Sequence, residues 1–178
     1  MADLKTLLSE RSASPGYMHL LLHNLMKKKE VTRITRGVYT FHNDEVMVVG
    51  FAFRPFYYGL ESAITLKGLW EQQANPIVVT PRRVRSGIRQ FNGRNYLVRR
   101  IDAGHFFGYS MEVHQGLWIP VSDMEKTFID MIYFKRDRPK EALVELAKSV
   151  DIGILKEYLS KYDERVRRKV MHMANELR

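Results

Sequence analysis

The sequence contains no cysteine among its 178 residues. This absence excludes disulfide bonds, zinc ribbons built on thiolates and catalysis by a thiol nucleophile. No apolar run approaches the roughly 20 residues of a membrane-spanning helix. The first residues, MADLKTLLSERS, lack the basic and apolar segments of a secretory signal. We therefore expect a cytoplasmic protein with no membrane partner, and the sequence indicates no cofactor.

Acidic residues are also missing from one long segment, Gln72 to Ile101, which contains no Asp or Glu. The whole chain has 29 Lys and Arg against 20 Asp and Glu, a formal net charge of +9. A surplus of this size indicates a polyanionic partner, usually a nucleic acid. The acid-free segment holds seven arginines: Arg82, Arg83, Arg85, Arg89, Arg94, Arg99 and Arg100.

These arginines allow more than one interpretation. Guanidinium groups suit phosphates and carboxylates, so the segment could extend a DNA-binding surface, bind RNA or dock an acidic protein. It could equally form internal salt bridges with acidic residues of the C-terminal helices. The candidates for such internal partners are Glu141, Glu145, Asp151 and Glu157.

The N-terminal segment predicts two helices and a hairpin. A short helix is expected over Asp3–Glu10, and Ser12–Gly16 breaks it. A second helix is expected over Tyr17–Lys29, with apolar residues at helical spacing on one face. Two short β-runs follow, Val31–Thr35 and Val38–Phe41, joined near Arg36-Gly37 where glycine tolerates a positive φ. The inward residues of the second helix are Met18, Leu21, Leu22 and Leu25.

This order is typical of a winged helix-turn-helix, which we assign to residues 1–44. Its reading helix would present polar side chains to base edges and phosphates, and the hairpin would place arginines over the backbone or in a minor groove. His19 and His23 have the i,i+4 spacing of a zinc helix, but Leu20 stands where that motif needs glutamate, so no metal is expected. The predicted DNA-binding residues are Ser14, Tyr17, His19, Leu20, His23, Asn24, Lys27, Lys28, Arg33, Thr35 and Arg36.

Residues 45–178 predict a second, α+β domain with a mostly antiparallel sheet followed by helices. Hairpins are expected at Asn92-Gly93 and at His114–Gly116. Three C-terminal helices are expected after the helix from Ser122 to Phe134, in which Glu125 has capping-box spacing. The other expected elements are a strand over Val46–Phe53, an aromatic turn over Pro55–Tyr58, a helix over Leu60–Gln73, a strand over Ile77–Thr80, Pro139 near a helix start, and N-caps at Asp151 and Asp163.

Enzymatic activity is not expected. No glycine-rich phosphate loop and no nucleophile elbow occurs. A metal-dependent nuclease would need acids near a lysine, and Glu125-Lys126 is the nearest match. The helix also explains that pair, because Lys126 and Asp130 have i,i+4 spacing. Asp102 is the other acid such a nuclease would use.

Several segments in order resemble one known family. They are ITRGVYTF, PFYYGLESAITLKGL, NPIVVTPRRVR, YLVRRI, FFGY and IPVSDMEKTFIDMIYF. Together they resemble the AbiEi-type antitoxins and transcriptional regulators of type IV toxin–antitoxin systems, from about Pro15 to Phe134.

The resemblance implies a winged helix that binds inverted repeats in its own promoter, and a C-terminal α+β domain needed for antitoxicity. It also implies a functional link, without a stable complex, to a nucleotidyltransferase-like toxin. The expected protein is therefore a homodimeric, sequence-specific regulator of double-stranded DNA, with an RNA- or acidic-protein-binding module as the alternative.

Overall fold

The computed structural model describes residues 14–41, 46–70, 75–134 and 140–177. Contacts divide the chain into two compact units, Met1–Ala52 and Phe53–Arg178. The helix expected over Asp3–Glu10 lies outside the described residues. The assignment of residues 1–44 to one domain and 45–178 to another stays a prediction.

The described part of the first unit starts with helix α1, Pro15–Lys27. The Ser14 hydroxyl caps its start by accepting the Tyr17 amide at 3.2 Å. Pro15 occupies the first turn, where a missing N–H removes no hydrogen bond. Helix α1 starts and ends two residues earlier than predicted. It ends because Lys29 has φ +59° and its amide donates to the Met26 carbonyl. The Glu30 amide donates to Leu25, completing a Schellman-type end.

The predicted hairpin follows α1. Strands β1, Thr32–Thr35, and β2, Val38–Thr40, pair antiparallel. Gly37 at the turn has φ +79°, a conformation that glycine adopts without strain. A register shift between Arg33 and Thr35 interrupts the ladder, which is typical of a bulge.

The strand expected over Val46–Phe53 is wrong, because these residues form a 3₁₀-helix. All eight residues of the run VMVVGFAF are apolar, so the sequence offers no alternation to separate a strand from a helix. Val48, Val49, Phe51 and Phe53 are all buried. Burial thus overrides the β-propensity of the valines here.

The second unit is built on a mixed, six-stranded sheet with the order β5-β6-β4-β3-β8-β7. β4 pairs parallel to β6 and β3 parallel to β8, while the other three pairings are antiparallel. The expectation of an α+β fold with a mostly antiparallel sheet is therefore confirmed. The strands are β3 Tyr57–Tyr58, β4 Ile77–Thr80, β5 Gly87–Phe91, β6 Arg94–Arg100, β7 Tyr109–His114 and β8 Leu117–Ser122.

Both predicted hairpins of this sheet are present. The Asn92-Gly93 turn has φ of +46° and +75°, and the Gln115-Gly116 turn has +47° and +77°. Two consecutive positive φ values define the two-residue turn that matches strand twist. The second turn is one residue shorter than expected, because His114 is the last residue of β7. Tyr57 and Tyr58 form strand β3, where only an aromatic turn was expected.

The helix expected over Leu60–Gln73 is shorter in the structure. Helix α2 covers Glu61–Leu66, and Gly68 at φ +71° follows it. A glycine in this conformation is a common helix end. Residues 71–74 lie outside the described part of the chain.

Among the residues described after β8 there are four further helices. Asp123, not Ser122, caps the first of them. The Asp123 carboxylate accepts the Lys126 amide at 2.7 Å, while Ser122 is the last residue of β8. Asp151 and Asp163 cap their helices as predicted, and Pro139 lies outside the described residues. The helices are α3 Met124–Tyr133, α4 Lys140–Ser149, α5 Ile152–Leu159 and α6 Glu164–Glu176.

The core of this unit lies between one face of the sheet and the helices. Tyr57, Ile77 and Val79 contribute from the strands, and Phe128 and Leu146 from the helices. Each such side chain stabilises the fold by about 1.5–3 kcal/mol when fully buried. The core therefore holds α3 against the sheet.

Candidate nucleic-acid interface and a buried polar cluster

Helix α1 has one buried and one exposed face. Leu22 is 7% exposed, and Met18, Leu21 and Leu25 are half-buried, as predicted for the inward side. Leu20 on the opposite side is 58% exposed. The helix thus presents a polar row to solvent with one apolar side chain in it. The exposed predicted site residues on and beside α1 are Ser14, Tyr17, His19, Leu20, His23, Asn24, Lys27 and Lys28.

The hairpin exposes Arg33, Thr35 and Arg36. The Arg33 Nε donates to the Thr35 carbonyl at 3.3 Å, which holds its guanidinium along β1. Arg36 lies in the turn beside Gly37. Within the described chain, neither arginine has a carboxylate within salt-bridge distance. We call Arg33, Thr35 and Arg36 the hairpin tip.

The α1 face and the hairpin tip are separated by a few residues of the same unit. Val31 and Thr40 are buried at the base of the hairpin. The sequence thus places polar and cationic side chains on the exposed side of both elements. A basic, polar surface of this type suits a phosphate backbone.

The seven arginines of the acid-free segment fall into two groups. Arg82, Arg83, Arg85, Arg94 and Arg100 are exposed, on or before the β5–β6 hairpin.

Arg89 and Arg99 are half-buried and serve the fold. The Arg89 guanidinium donates to the Arg85 carbonyl at 3.1 Å and lies 5.1 Å from the Phe53 ring centroid. The Arg99 guanidinium lies 5.9 Å from the ring centroid of Phe134.

Two of the acids considered as internal partners for these arginines have other roles. Glu145 pairs with Lys148 of its own helix at 2.6 Å, and Asp151 caps α5. The carboxylates considered for a nuclease also accept hydrogen bonds from backbone amides. Glu125 accepts the Asp151 amide at 2.7 Å, so it does not complete a capping box. Asp102 accepts the Gly104 amide at 2.8 Å.

A buried polar cluster in the second unit was missed at the level of sequence. Lys126 and Asp130 form an ion pair in which both side chains are 0% exposed. The Tyr57 hydroxyl donates to the other Asp130 oxygen at 2.6 Å. The Lys126 ammonium also donates to the Tyr162 hydroxyl at 3.1 Å. We call Tyr57, Lys126, Asp130 and Tyr162 the Lys126 cluster.

Aromatic rings surround the ammonium of this cluster. The Lys126 Nζ lies 5.4–5.8 Å from the ring centroids of Tyr57, Phe107 and Tyr162. Such rings attract a cation that has lost its water. The spacing of Lys126 and Asp130 was recognised as an i,i+4 pair. Its burial was missed because α3 is buried on nearly every side, including its charged residues.

Burial shifts the ionisation of the Lys126 cluster. It raises the pKa of Asp130 and lowers the pKa of Lys126, and each partner's charge opposes that shift. Burial, followed by the charge of Asp130, raises the pKa of Tyr57 well above its usual value. Both charged groups have hydrogen-bond partners among the described residues, and neither side chain is exposed to solvent. We therefore assign the Lys126 cluster to the stability of the fold.

Gly108 allows this arrangement. At φ +69° a Cβ on Gly108 would lie 2.8 Å from the Lys126 Cβ and 2.9 Å from the Tyr158 ring. The Tyr158 hydroxyl donates to Asp123 at 2.7 Å. Gly108 of the FFGY segment thus packs directly against α3.

Comparison with known proteins adds no assignment. No protein-family profile matches the chain, and no curated protein is significantly similar to it. The resemblance to AbiEi-type antitoxins therefore stays a prediction. Within the described parts of the chain, no helix has the length and apolarity needed to cross a membrane.

Proposed function

We propose that this protein is a sequence-specific, double-stranded DNA-binding regulator. The observation that supports it best is the exposed polar row of α1, followed by a hairpin whose arginines point to solvent without carboxylate partners in the described chain. In this proposal α1 and the hairpin belong to a winged helix-turn-helix. The net charge of +9 supports a polyanionic ligand.

Six of the exposed side chains have a specific chemical role in this proposal. Asn24 pairs with the N6 and N7 edge of an adenine, and Leu20 packs on a thymine methyl. Lys27 and Lys28 contact phosphates and fix the register. Arg33 and Arg36 contact the backbone or enter a minor groove.

The test is a charge reversal at the hairpin tip. Arg33→Glu/Arg36→Glu should abolish the shift of a duplex taken from upstream of the gene for this protein. The matched control is Arg165→Glu/Arg168→Glu on α6, which makes the same change in net charge at exposed positions of the other unit. Equal binding by both variants and the wild type would remove the hairpin from the interface. An equal loss of duplex binding in both double variants would mean that the effect comes from net charge alone.

We further propose that the regulator acts in the cytoplasm as an antitoxin-like autorepressor. This step rests on the resemblance of segments such as ITRGVYTF and YYGLESA. A reporter driven by the protein's own promoter should be repressed by the wild type and released by Arg33→Glu/Arg36→Glu. Co-expression with a neighbouring nucleotidyltransferase-like gene product tests the link to a toxin. If the link holds, this protein should rescue the growth of cells that express that gene product.

A second candidate function is binding of RNA or an acidic protein through the β5–β6 hairpin. The observation that favours it is the exposure of Arg82, Arg83, Arg85 and Arg94 on one segment without acidic residues. Charge reversal by Arg83→Glu/Arg85→Glu separates the two functions. Loss of RNA binding with duplex binding retained would assign this segment to RNA.

A further inference from the structure

Strand β7 forms one edge of the six-stranded sheet, and within the described residues it pairs only with β8. Its six residue pairs follow a regular register. The Asp123 amide donates to the Gly108 carbonyl at 2.9 Å, one position before the strand. Hydrogen-bonded pairs alternate along an antiparallel ladder. The backbone groups of Ser110, Glu112 and His114 therefore point towards β8.

The intervening residues point their N–H and C=O groups away from the sheet. These residues are Tyr109, Met111 and Val113, whose side chains are 39%, 52% and 58% exposed. Trp118, opposite Val113 on β8, is 59% exposed and lies on the same face. The edge therefore combines open hydrogen-bonding groups with an apolar strip.

Natural sheets protect such edges with lysine, proline or bulges. The sequence of β7, YSMEVH, contains no lysine and no proline. Its only acidic residue, Glu112, forms an ion pair with Lys67 of the same chain. The opposite edge strand, β5, begins at Gly87 and exposes one large apolar side chain, Ile88. The β7 edge therefore carries the larger apolar strip of the two.

We propose that β7 pairs antiparallel with β7 of a second copy of this chain, about a two-fold axis at Met111. In this register Met111 faces Met111 of the second copy, and Tyr109 faces Val113. All three outward-pointing residues then exchange hydrogen bonds across the axis. Glu112 faces Ser110, so like charges do not meet.

The size of the interface sets its strength. The two apolar strips and the paired backbones bury on the order of 1,000 Å² in total, at the low end for specific interfaces. We therefore expect a dissociation constant on the order of 10 µM. A two-fold dimer of this kind would present two copies of the N-terminal unit, but the proposal does not depend on DNA binding.

Disulfide cross-linking tests the register directly, because the natural chain has no cysteine. In a hydrogen-bonded pair the Cα atoms lie about 5.5 Å apart, within the range of a disulfide. Oxidised Met111→Cys should run mainly as a covalent dimer. A mixture of Tyr109→Cys and Val113→Cys should cross-link more than either alone. The control is Ile88→Cys on β5, which is 75% exposed and should stay a monomer. Equal cross-linking of Met111→Cys and Ile88→Cys would overturn the proposal.

Sedimentation equilibrium gives the second test. The wild type should associate as a dimer, and Met111→Lys should raise the dissociation constant at least about tenfold, because a lysine on an edge strand opposes pairing. Val113→Pro should do the same through loss of one outward N–H, a group that β8 does not use. Ile88→Lys should leave association unchanged. A wild type that is monomeric at about 100 µM, or a dimer that survives both variants, would refute the pairing.

Discussion

Replacement of Lys126 by methionine tests the reasoning about the Lys126 cluster. Methionine keeps most of the side-chain volume and removes the ammonium. Asp130 then stays fully buried, and the Tyr57 hydroxyl is its one remaining side-chain partner among the described residues. Asp130→Asn makes the complementary change, since it leaves the buried ammonium without a carboxylate.

The expected magnitude follows from burial. Loss of one partner of a buried ion pair costs about 3–5 kcal/mol, because the remaining charge has no solvent. For a chain of this size, the cost lowers Tm by roughly 10 °C. The double variant Lys126→Met/Asp130→Asn leaves no charge in the cluster. Its cost should be about half the sum of the two single costs, or less.

The assay is denaturant unfolding of the wild type, both single variants and the double variant. The effect of pH gives an independent check. In Lys126→Met the pKa of Asp130 rises further above its unfolded value, because burial already raises it and the opposing ammonium is gone. When the pKa of a carboxyl is higher in the folded than in the unfolded protein, protonation of that carboxyl stabilises the fold. This contribution is fully present below the unfolded-state pKa and is lost as pH rises through the folded-state pKa. The difference in the free energy of unfolding between the wild type and Lys126→Met should therefore be smaller at about pH 4.5 than at about pH 7.5. Additive costs, or a single cost below about 1 kcal/mol, would show that the Lys126 ammonium and the Asp130 carboxylate do not stabilise each other.

Three further predictions concern single positions. Lys29→Gly should stabilise the protein by about 1 kcal/mol in thermal unfolding, since Lys29 holds φ +59° at the end of α1; no change in Tm would contradict this. Gly108→Ala should destabilise by more than about 2 kcal/mol, because its Cβ would lie 2.8 Å from that of Lys126; the check is the denaturation midpoint. Asn24→Ala should weaken binding of the preferred duplex by about 1–3 kcal/mol and leave non-specific binding unchanged. Equal weakening on both duplexes in a fluorescence titration would rule out base reading.

Local signals in the sequence predicted much of the fold. Asn-Gly and Gln-Gly at the hairpin turns, and aspartates at Asp151 and Asp163, act within a few residues of themselves. Their consequences can be read without knowledge of the rest of the chain. The run from Val46 to Phe53 failed because its structure depends on burial, which adjacent residues do not reveal.

The candidate interface and the buried cluster differ in the same way. The exposed face of α1 follows from helical spacing, so residues such as His23 and Asn24 could be identified in advance. The Lys126 cluster joins Tyr57, Lys126 and Tyr162, which come from three distant parts of the chain. No local pattern brings these residues together, and only the packing of α3 on the sheet does so.

In the proposed function, the α1 face and the hairpin tip bind duplex DNA. The most direct test is an NMR titration with the upstream duplex, which follows every backbone amide at once. We expect the chemical-shift changes to concentrate in residues 14–41, strongest along His19, Asn24 and Lys27 and at Arg33 to Gly37. Changes confined to the β5–β6 hairpin, with residues 14–41 unaffected, would contradict it.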